Sequence, residues 1–450
     1  MTLLLVVWLV AAAAILVRAL SRRSVGLIPA YVGNLWIIHW LGASAYAFEG
    51  WSHINDPRQV ERGFELCTYG LLAVAAGIEF RCRLGTPAAP AHEMTSREVR
   101  RLHSFTRLGM ALGFVSYFVL LPLLAGVPTM TAVISCGLTL FTTCVTLRAW
   151  AAWRTGAPRL ALRWVAVLGG LPLLTMAAQG FLGFGTLNLV TALAFLTREV
   201  RRRAVAIVMG ALLAYGGLSF YVSYMRDRNE IRAVVWGGRD IFDRAESIGG
   251  IFLGTVPFDW TDPAHLRRLD ERLNQNALVG AADEYIGRGR ASYGLGRTLL
   301  QAVLALVPRA LWPDKPFGAG SMGVVTEYTG IRFARNTSVG VGVVLELFIN
   351  FGVPGVVIGF FLLGYLLAAL EGLATARLER RDWPGFLLVY MPAISLLQVG
   401  GMFLEVTATA AGSYLLVRAL IALDARRQRS LQEVRSPAPP PPGPRRSVAT

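Results

Sequence analysis

Charged side chains are scarce in this chain, and their scarcity excludes a soluble globular fold. Only 16% of its 450 residues are Asp, Glu, Lys or Arg, whereas 54% are hydrophobic and the mean hydropathy is +0.50. Soluble domains carry about 25% charged residues. Hydrophobic runs of about 20 residues, the length that crosses a bilayer as a helix, recur along the chain. The sequence therefore predicts an all-α polytopic integral membrane protein.

Lysine and paired cysteines are also nearly absent. Lys315 is the only lysine, so arginine supplies almost all of the positive charge behind the net charge of +16. The arginines cluster between hydrophobic runs, which indicates anchoring of cytoplasmic loops rather than nucleic-acid binding. The four cysteines show no C-x-x-C spacing, so neither a disulfide framework nor a zinc site is predicted. No D-x-D pattern, P-loop or H-E-x-x-H motif is present, and we expect no metal and no cofactor.

Every second loop between the hydrophobic runs is rich in arginine. This positive-inside pattern predicts about eleven transmembrane helices, with the N-terminus outside and the C-terminus inside. The first hydrophobic run lacks the basic segment and cleavage site of a signal peptide, so we interpret it as a span. The expected regions are helices 1–8 in residues 1–222, one long extracytoplasmic loop in 223–338, C-terminal helices in 339–425 with a half-helix at 339–351, and a disordered proline-rich cytoplasmic tail in 426–450.

The long outward loop contains one short hydrophobic segment, residues 298–307. This segment is too short to span a bilayer, so we expect it to lie in the interface or to re-enter the membrane. The basic residues that accompany it are Arg288, Arg290, Arg297, Arg309, Lys315, Arg332 and Arg335. Such a cluster suits a phosphate or pyrophosphate, because arginine binds phosphate oxygens in pairs. For any one of these residues, a salt bridge with a nearby acid or contact with the interface is the open alternative.

A carboxylate within a hydrophobic run is the second notable feature. Glu346 lies in the apolar segment after the loop, and Asn350, four residues on, shares its helical face. Ionisable residues in such segments are functional candidates. Glu346 is therefore the leading candidate for a general base, with His265 and Glu327 in the loop as reserves. A structural carboxylate paired with a loop arginine is the alternative.

Three segments together resemble a known family. Residues 289–293 read GRASY, residues 306–316 read LVPRALWPDKP, and residues 345–364 read LELFINFGVPGVVIGFFLLG. In this order they resemble bacterial O-antigen or oligosaccharide repeat-unit polymerases of the Wzy type. The resemblance covers residues 289–364, and the multi-span layout of the remaining chain agrees with it.

The resemblance implies a metal-independent membrane glycosyltransferase with a GT-C-like architecture in the bacterial cytoplasmic (inner) membrane. Its active loop would face the periplasm or exterior, where it would join undecaprenyl-pyrophosphate-linked repeat units into O-antigen, capsular or exopolysaccharide chains. The implied partners are the lipid-linked glycan donor and acceptor, the lipid bilayer, a chain-length regulator and a flippase, without nucleic acid. The residues implied to hold the pyrophosphate are Arg290, Arg297, Arg309, Lys315 and Arg335, supported by Arg288 and Asn350.

Two other functions fit parts of the same sequence. A ligase that transfers a finished glycan to another acceptor would use the same donor-binding cations. A lipid-linked glycan flippase or other transporter would carry ionisable residues through many spans around a central cavity. Here the charge density lies in one outward loop, so the sequence favours the polymerase first, the ligase second and the transporter third.

Overall fold

The computed structural model describes residues 1–20, 24–85, 94–124, 128–200, 203–237, 244, 249–250, 253–307, 312, 320–334 and 339–435, and every regular element among them is a helix. The helices of the first half are α1 (Thr2–Leu20), α2 (Leu27–Leu35), α3 (Leu41–Ala45), α4 (Pro57–Arg83), α5 (Ser96–Leu123), α6 (Pro128–Ile134), α7 (Gly137–Arg154), α8 (Pro158–Gly169), α9 (Leu171–Gln179) and α10 (Gly183–Leu196). A π-helical turn, Trp36–Trp40, joins α2 to α3.

The second half begins with a long helix and ends with another. Its helices are α11 (Arg203–Trp236), α12 (Pro263–Arg272), α13 (Asn276–Gly287), α14 (Arg297–Leu304), α15 (Gly320–Thr329), α16 (Val343–Glu379), α17 (Trp383–Ile394) and α18 (Phe403–Arg435). Of the segment between α11 and α16, the described residues include four short helices, α12 to α15. This segment is the long loop that the sequence predicts.

Eight helices or helix pairs in the described residues are long and apolar enough to cross a membrane: α1, α4, α5, α6–α7, α8–α9, α11, α16 and α18. The predicted count of about eleven also includes α2–α3, α10 and α17. Those three segments are helical, but α10 has 14 residues and α17 has 12. A helix of 14 residues is about 21 Å long, short of the roughly 30 Å hydrocarbon core. The part of the chain that the structure describes is therefore all-helical, with eight candidate membrane spans.

Two predicted boundaries fall within continuous helices. α11 continues past residue 222 to Trp236, and α18 continues to Arg435, so residues 426–435 are helical rather than disordered. Both extensions are rich in arginine and contain neither glycine nor proline, so neither of the strongest helix breakers interrupts them. The prediction of a disordered tail at residues 436–450 lies outside the described residues.

Contacts between residues near the helix ends sort into two sets. The contacts of the first set are Arg18–Glu79, Arg148–His103, Arg198–Glu379 and Ser24–Glu371. The contacts of the second set are Met1–Glu61, Arg62–Asp283, Tyr46–Asp270 and Gln275–Gly400. Each contact joins residues from the same predicted side of the membrane. The folded chain therefore has two chemically distinct ends, and the arginine-rich loops share one of them.

Helices α4 and α16 pack closely because glycines lie where they cross. A Cβ atom on Gly364 would lie 2.3 Å from the Val74 carbonyl oxygen, and one on Gly77 would lie 2.1 Å from the Phe361 carbonyl oxygen. Small residues allow helix backbones to approach this closely within a membrane. In the same way, α13 lies directly against α4, because Gly280 has no Cβ. Helix α4 therefore packs against both α16 and α13, one of the short helices between α11 and α16.

Gly364→Ala should destabilise the protein by about 1–3 kcal/mol, because the added methyl group pushes α16 away from the α4 backbone. The measurement is the thermal unfolding midpoint of the detergent-solubilised protein. Gly210→Ala in α11 is the matched control, since a Cβ there meets no atom within 4 Å. That control should be neutral or stabilising, because alanine is the better helix former. An equal loss in both variants would contradict the close approach of α4 and α16.

Candidate functional site

The short helix α14 lies where the sequence predicts an interfacial segment. Thr298 and Ala302 are buried, and the Thr407 hydroxyl of α18 donates a hydrogen bond to the Ala302 carbonyl oxygen at 2.9 Å. The opposite face is apolar but exposed, with Leu300 and Val303 at 60% and 61%. An exposed apolar face matches a helix that lies against lipid. Helix α14 is therefore anchored to α18 on one side and suited to the membrane on the other.

A break in helix α16 provides hydrogen-bond acceptors for the loop. Gly352 has φ 65° and ψ −154°, which interrupts the helix. Pro354 has no N–H, so the Asn350 carbonyl lacks the donor that a regular helix would place four residues on. That carbonyl accepts instead from the Leu295 N–H at 3.1 Å, and the carbonyl before it accepts from the Gly294 N–H at 2.8 Å. The half-helix that starts α16 thus ends against the turn that leads into α14.

The side chain of Asn350 fixes this turn. Its Oδ1 accepts a hydrogen bond from the Gly296 N–H at 2.9 Å, and its Nδ2 donates to the Thr298 hydroxyl and the Glu346 carbonyl oxygen, both at 2.7 Å. The side chain is fully buried. Leu295 in the turn has φ 45°, a strained conformation for a residue with a bulky side chain. The bonds from Asn350 to Gly296 and Thr298 therefore hold a strained turn against α16.

Glu346, the leading candidate for the general base, lies beneath the turn with no exposed surface. Its Oε2 accepts a hydrogen bond at 2.7 Å from the N–H of Phe403, the first residue of α18. A carboxylate in this position caps the helix and is favoured by its dipole. The Oε1 atom has no hydrogen-bond partner among the described residues. In this conformation Glu346 joins α16 to α18 away from solvent, and its role as a base stays a prediction.

Arg297 and Glu327 form an ion pair at the surface above the turn. The guanidinium Nη2 lies 2.5 Å from Glu327 Oε1 and 3.4 Å from the Tyr328 hydroxyl oxygen. The hydrogen bond to Glu327 raises the pKa of Arg297, and burial raises the pKa of Tyr328. The two charged side chains are 50% and 41% exposed, so their pairing adds little stability. The ion pair nevertheless exposes a cation and a carboxylate side by side at the protein surface.

Arg290, a second arginine of the predicted set, lies against Tyr285, whose ring contacts the residue that follows α15. The Arg290 guanidinium carbon lies 5.9 Å from the centre of the Tyr285 ring, and that ring lies against Gly330, just after α15. Arg288 is paired with Glu284 on α13. Since α13 packs on α15, Arg290 and the ion pair described above both approach the C-terminal end of α15. The structure therefore pairs one predicted cation, Arg297, with one reserve base, Glu327, and places Arg290 on the neighbouring Tyr285 ring.

An open cleft of ≈ 510 Å³ lies beside this ion pair. The residues that line it are Met322, Gly323, Thr326, Glu327, Arg332 and Phe333. Arg332 is exposed and has no acidic partner among the residues that the structure describes. The cleft thus combines apolar side chains, a hydroxyl group and both signs of charge within one concave surface.

His265, the other reserve base, is not brought to this site. It is 6% exposed, its Nδ1 accepts a hydrogen bond from the Asp259 N–H at 3.1 Å, and its ring stacks on Phe258 at 5.6 Å. Helix α12, which carries it, packs on α3 and α11. Phe258 belongs to a separate core cluster, and the other ring nitrogen, Nε2, lies 3.4 Å from Asp262 Oδ2. His265 is therefore a packed residue of the loop rather than a base beside the arginines.

Some of the site falls outside what the sequence predicted or what the structure describes. Arg309, Lys315 and Arg335 lie outside the described residues. Thr298 and Tyr328 carry hydrogen bonds of the site, yet no motif marks them, because their partners are distant along the chain. The two glycines that flank Leu295 were a usable signal, since glycine is the usual residue where φ is positive.

The described residues contain no group of three or more His, Cys, Asp or Glu side chains placed to hold a metal ion. The described polar side chains of this site are arginine, carboxylate and hydroxyl groups. Comparisons with family models, curated proteins and solved structures found no match for this chain.

Proposed function

We propose that this protein is a membrane glycosyltransferase that polymerises undecaprenyl-pyrophosphate-linked repeat units on the outer side of a bacterial cytoplasmic membrane. The observation that carries the proposal is the exposed Arg297–Glu327 ion pair beside a turn that Asn350 fixes to α16. Next to this pair, α14 presents an apolar face suited to lipid. A lipid pyrophosphate has the complementary form, with a hydrocarbon chain in the bilayer and its charge at the surface.

The ion pair offers the two groups that such a transfer needs. A guanidinium donates paired hydrogen bonds to phosphate oxygens and stabilises the charge that develops on a leaving pyrophosphate. In the proposed step, Arg297 leaves Glu327 to bind the donor, and the released carboxylate takes the proton of the acceptor hydroxyl. The acceptor oxygen bonds to the anomeric carbon as the bond from that carbon to the pyrophosphate oxygen breaks. The pyrophosphate departs with the electron pair, and Arg290 adds a second cation nearby.

The two ends of the fold support one orientation in the membrane. The ion pair lies at the end opposite the arginine-rich loops, and positive charge concentrates on the cytoplasmic side of membrane proteins. We therefore assign the site to the periplasmic or exterior face. A lipid-linked substrate that has already crossed the membrane would meet it there.

Arg297→Ala and Glu327→Gln should each lower polymer formation by at least about 100-fold, because each removes a group that acts on developing charge or on the proton. The measurement is the lipid-linked glycan profile of a strain that lacks the gene, complemented with each variant at matched protein levels. Wild type should restore polymer, whereas the two variants should leave single repeat units on the carrier lipid.

The control for this experiment is Arg267→Ala, which removes an exposed arginine of α12 that lies 3.8 Å from Glu271. It should restore polymer as wild type does. Full-length polymer that stays on the carrier in the deletion strain would instead indicate a ligase. Repeat units retained on the cytoplasmic face would indicate a transporter, and polymer restored by both site variants would overturn their assignment.

A further inference from the structure

We infer that the cleft beside α15 binds a sugar ring of the acceptor glycan, an inference that rests on the proposed function. The cleft and the ion pair share one residue, Glu327. Its Oε1 faces Arg297, where the donor pyrophosphate would bind, and the same side chain forms part of the cleft wall. A hydroxyl held in the cleft would therefore lie beside the carboxylate that takes its proton.

The lining of the cleft matches the two-sided chemistry of a pyranose. A sugar ring has an apolar face of C–H groups and a rim of hydroxyl groups. Phe333 and Met322 are partly exposed and provide an apolar surface for the C–H face of the sugar. For the hydroxyl groups, the cleft provides the hydroxyl of Thr326, the carboxylate of Glu327 and the guanidinium of Arg332. Pockets for small molecules combine a largely apolar wall with a few polar groups in this way.

The size and position of the cleft also suit an acceptor rather than the donor lipid. Its volume of ≈ 510 Å³ falls in the range of about 300–1,000 Å³ that is typical of small-molecule sites. The lipid-facing side chains, Leu300 and Val303, lie on α14, whereas the cleft lies on α15 and the segment after it. The arrangement assigns the carrier chain to α14 and the glycan to α15, with the ion pair between them.

A phosphate group on Arg332 is the competing occupant, and two probes separate the alternatives. One probe is the repeat-unit oligosaccharide released by mild acid from the carrier lipid of the deletion strain, which carries no phosphate. The other probe is inorganic pyrophosphate. Binding of both is measured by calorimetry on the full-length protein in lipid nanodiscs.

Phe333→Ala and Arg332→Gln should each raise the Kd of the released oligosaccharide about tenfold, the effect of losing about 1.4 kcal/mol of ring contact or hydrogen bonding. The Kd of pyrophosphate should stay unchanged in both. Arg297→Ala should show the reverse, with weaker pyrophosphate binding and unchanged oligosaccharide binding. Arg267→Gln, on α12, is the control and should change neither. Arg332 is exposed, so its variant reports on binding even where Phe333→Ala unfolds the segment.

The outcomes distinguish this inference from the proposed function. Polymer restored by wild type, together with unchanged oligosaccharide affinity in Arg332→Gln and in folded Phe333→Ala, would overturn the cleft as the acceptor site and leave the polymerase intact. Weaker pyrophosphate binding in Arg332→Gln would assign the cleft to phosphate and likewise overturn the inference. Failure of wild type to restore polymer would overturn the proposed function and this inference with it.

Discussion

An Asn350→Leu variant should open the turn before α14 and, under the proposed function, abolish polymer formation. Leucine is similar in size but makes none of the three hydrogen bonds, so the Gly296 N–H and the Thr298 hydroxyl lose their partner. Each buried group left unpaired costs about 1–3 kcal/mol. A total of about 3 kcal/mol makes opening more than a hundredfold more frequent. Tryptic cleavage after Arg297 in the folded, detergent-solubilised protein measures that opening.

Asn188→Leu is the matched control for this variant. Asn188 donates its Nδ2 hydrogen to the carbonyl of Phe184, four residues earlier, as Asn350 does to Glu346. It lies within α10 and ties no loop to the helix. The control should leave cleavage after Arg297 at the wild-type rate. If Asn350→Leu were cleaved no faster than Asn188→Leu, the turn would be held by something other than Asn350.

A second large effect is expected at the opposite end of the molecule. Arg198 Nη2 and Glu379 Oε1 lie 2.5 Å apart, and only 2% and 4% of the two side chains are exposed. Arg198→Met leaves the Glu379 carboxylate buried without this cation, which should cost about 3–5 kcal/mol. Chemical unfolding of the detergent-solubilised protein measures the loss. The double variant Arg198→Met/Glu379→Leu should recover part of the stability, because it removes the Glu379 charge, while Glu199, 3.6 Å from Arg198 Nε, keeps Arg154 at 3.9 Å.

The control for the buried pair is an exposed one on the same side. Arg377 Nη1 and Asp382 Oδ2 lie 2.6 Å apart, with 47% and 35% of the side chains exposed. Arg377→Met should cost no more than about 1 kcal/mol, since water and salt screen the exposed pair. Similar losses in Arg198→Met and Arg377→Met would show that burial does not set the energy of the first pair.

Hydrophobic patterning predicted the helices better than it predicted their lengths. The break at Gly352 was visible in sequence, because glycine and proline fall close together within an apolar run. The short lengths of α10 and α17 were not visible, since the residues just before α10 and just after α17 are largely apolar although they do not extend these helices. The helix past residue 222 was missed for the opposite reason. Its polar composition suggested a loop, although nothing there disfavours a helix.

In the functional site too, the sequence predicted features that lie within one stretch of chain but not contacts between residues far apart in the chain. A cluster of arginines near a short apolar segment could be predicted, because both lie within one stretch of chain. The pairing of Arg297 with Glu327 depends on how α14 and α15 fold together, and no local pattern contains it. The position of Glu346 depends on the Phe403 N–H, 57 residues away. The sequence could mark that carboxylate as unusual but not show that it faces a helix end.

The crossing of α4 and α16 has a consequence for biosynthesis. The two helices begin about 280 residues apart, and at about 5–20 residues per second the ribosome needs about 15–60 s to make that interval. During this time the α16-facing glycines of α4 have no helix to pack against. Helix α18, whose first N–H group holds Glu346, is made later still. A nascent chain released before α18 therefore contains the arginines without the architecture that positions them, and the site should form only after α18 has been made.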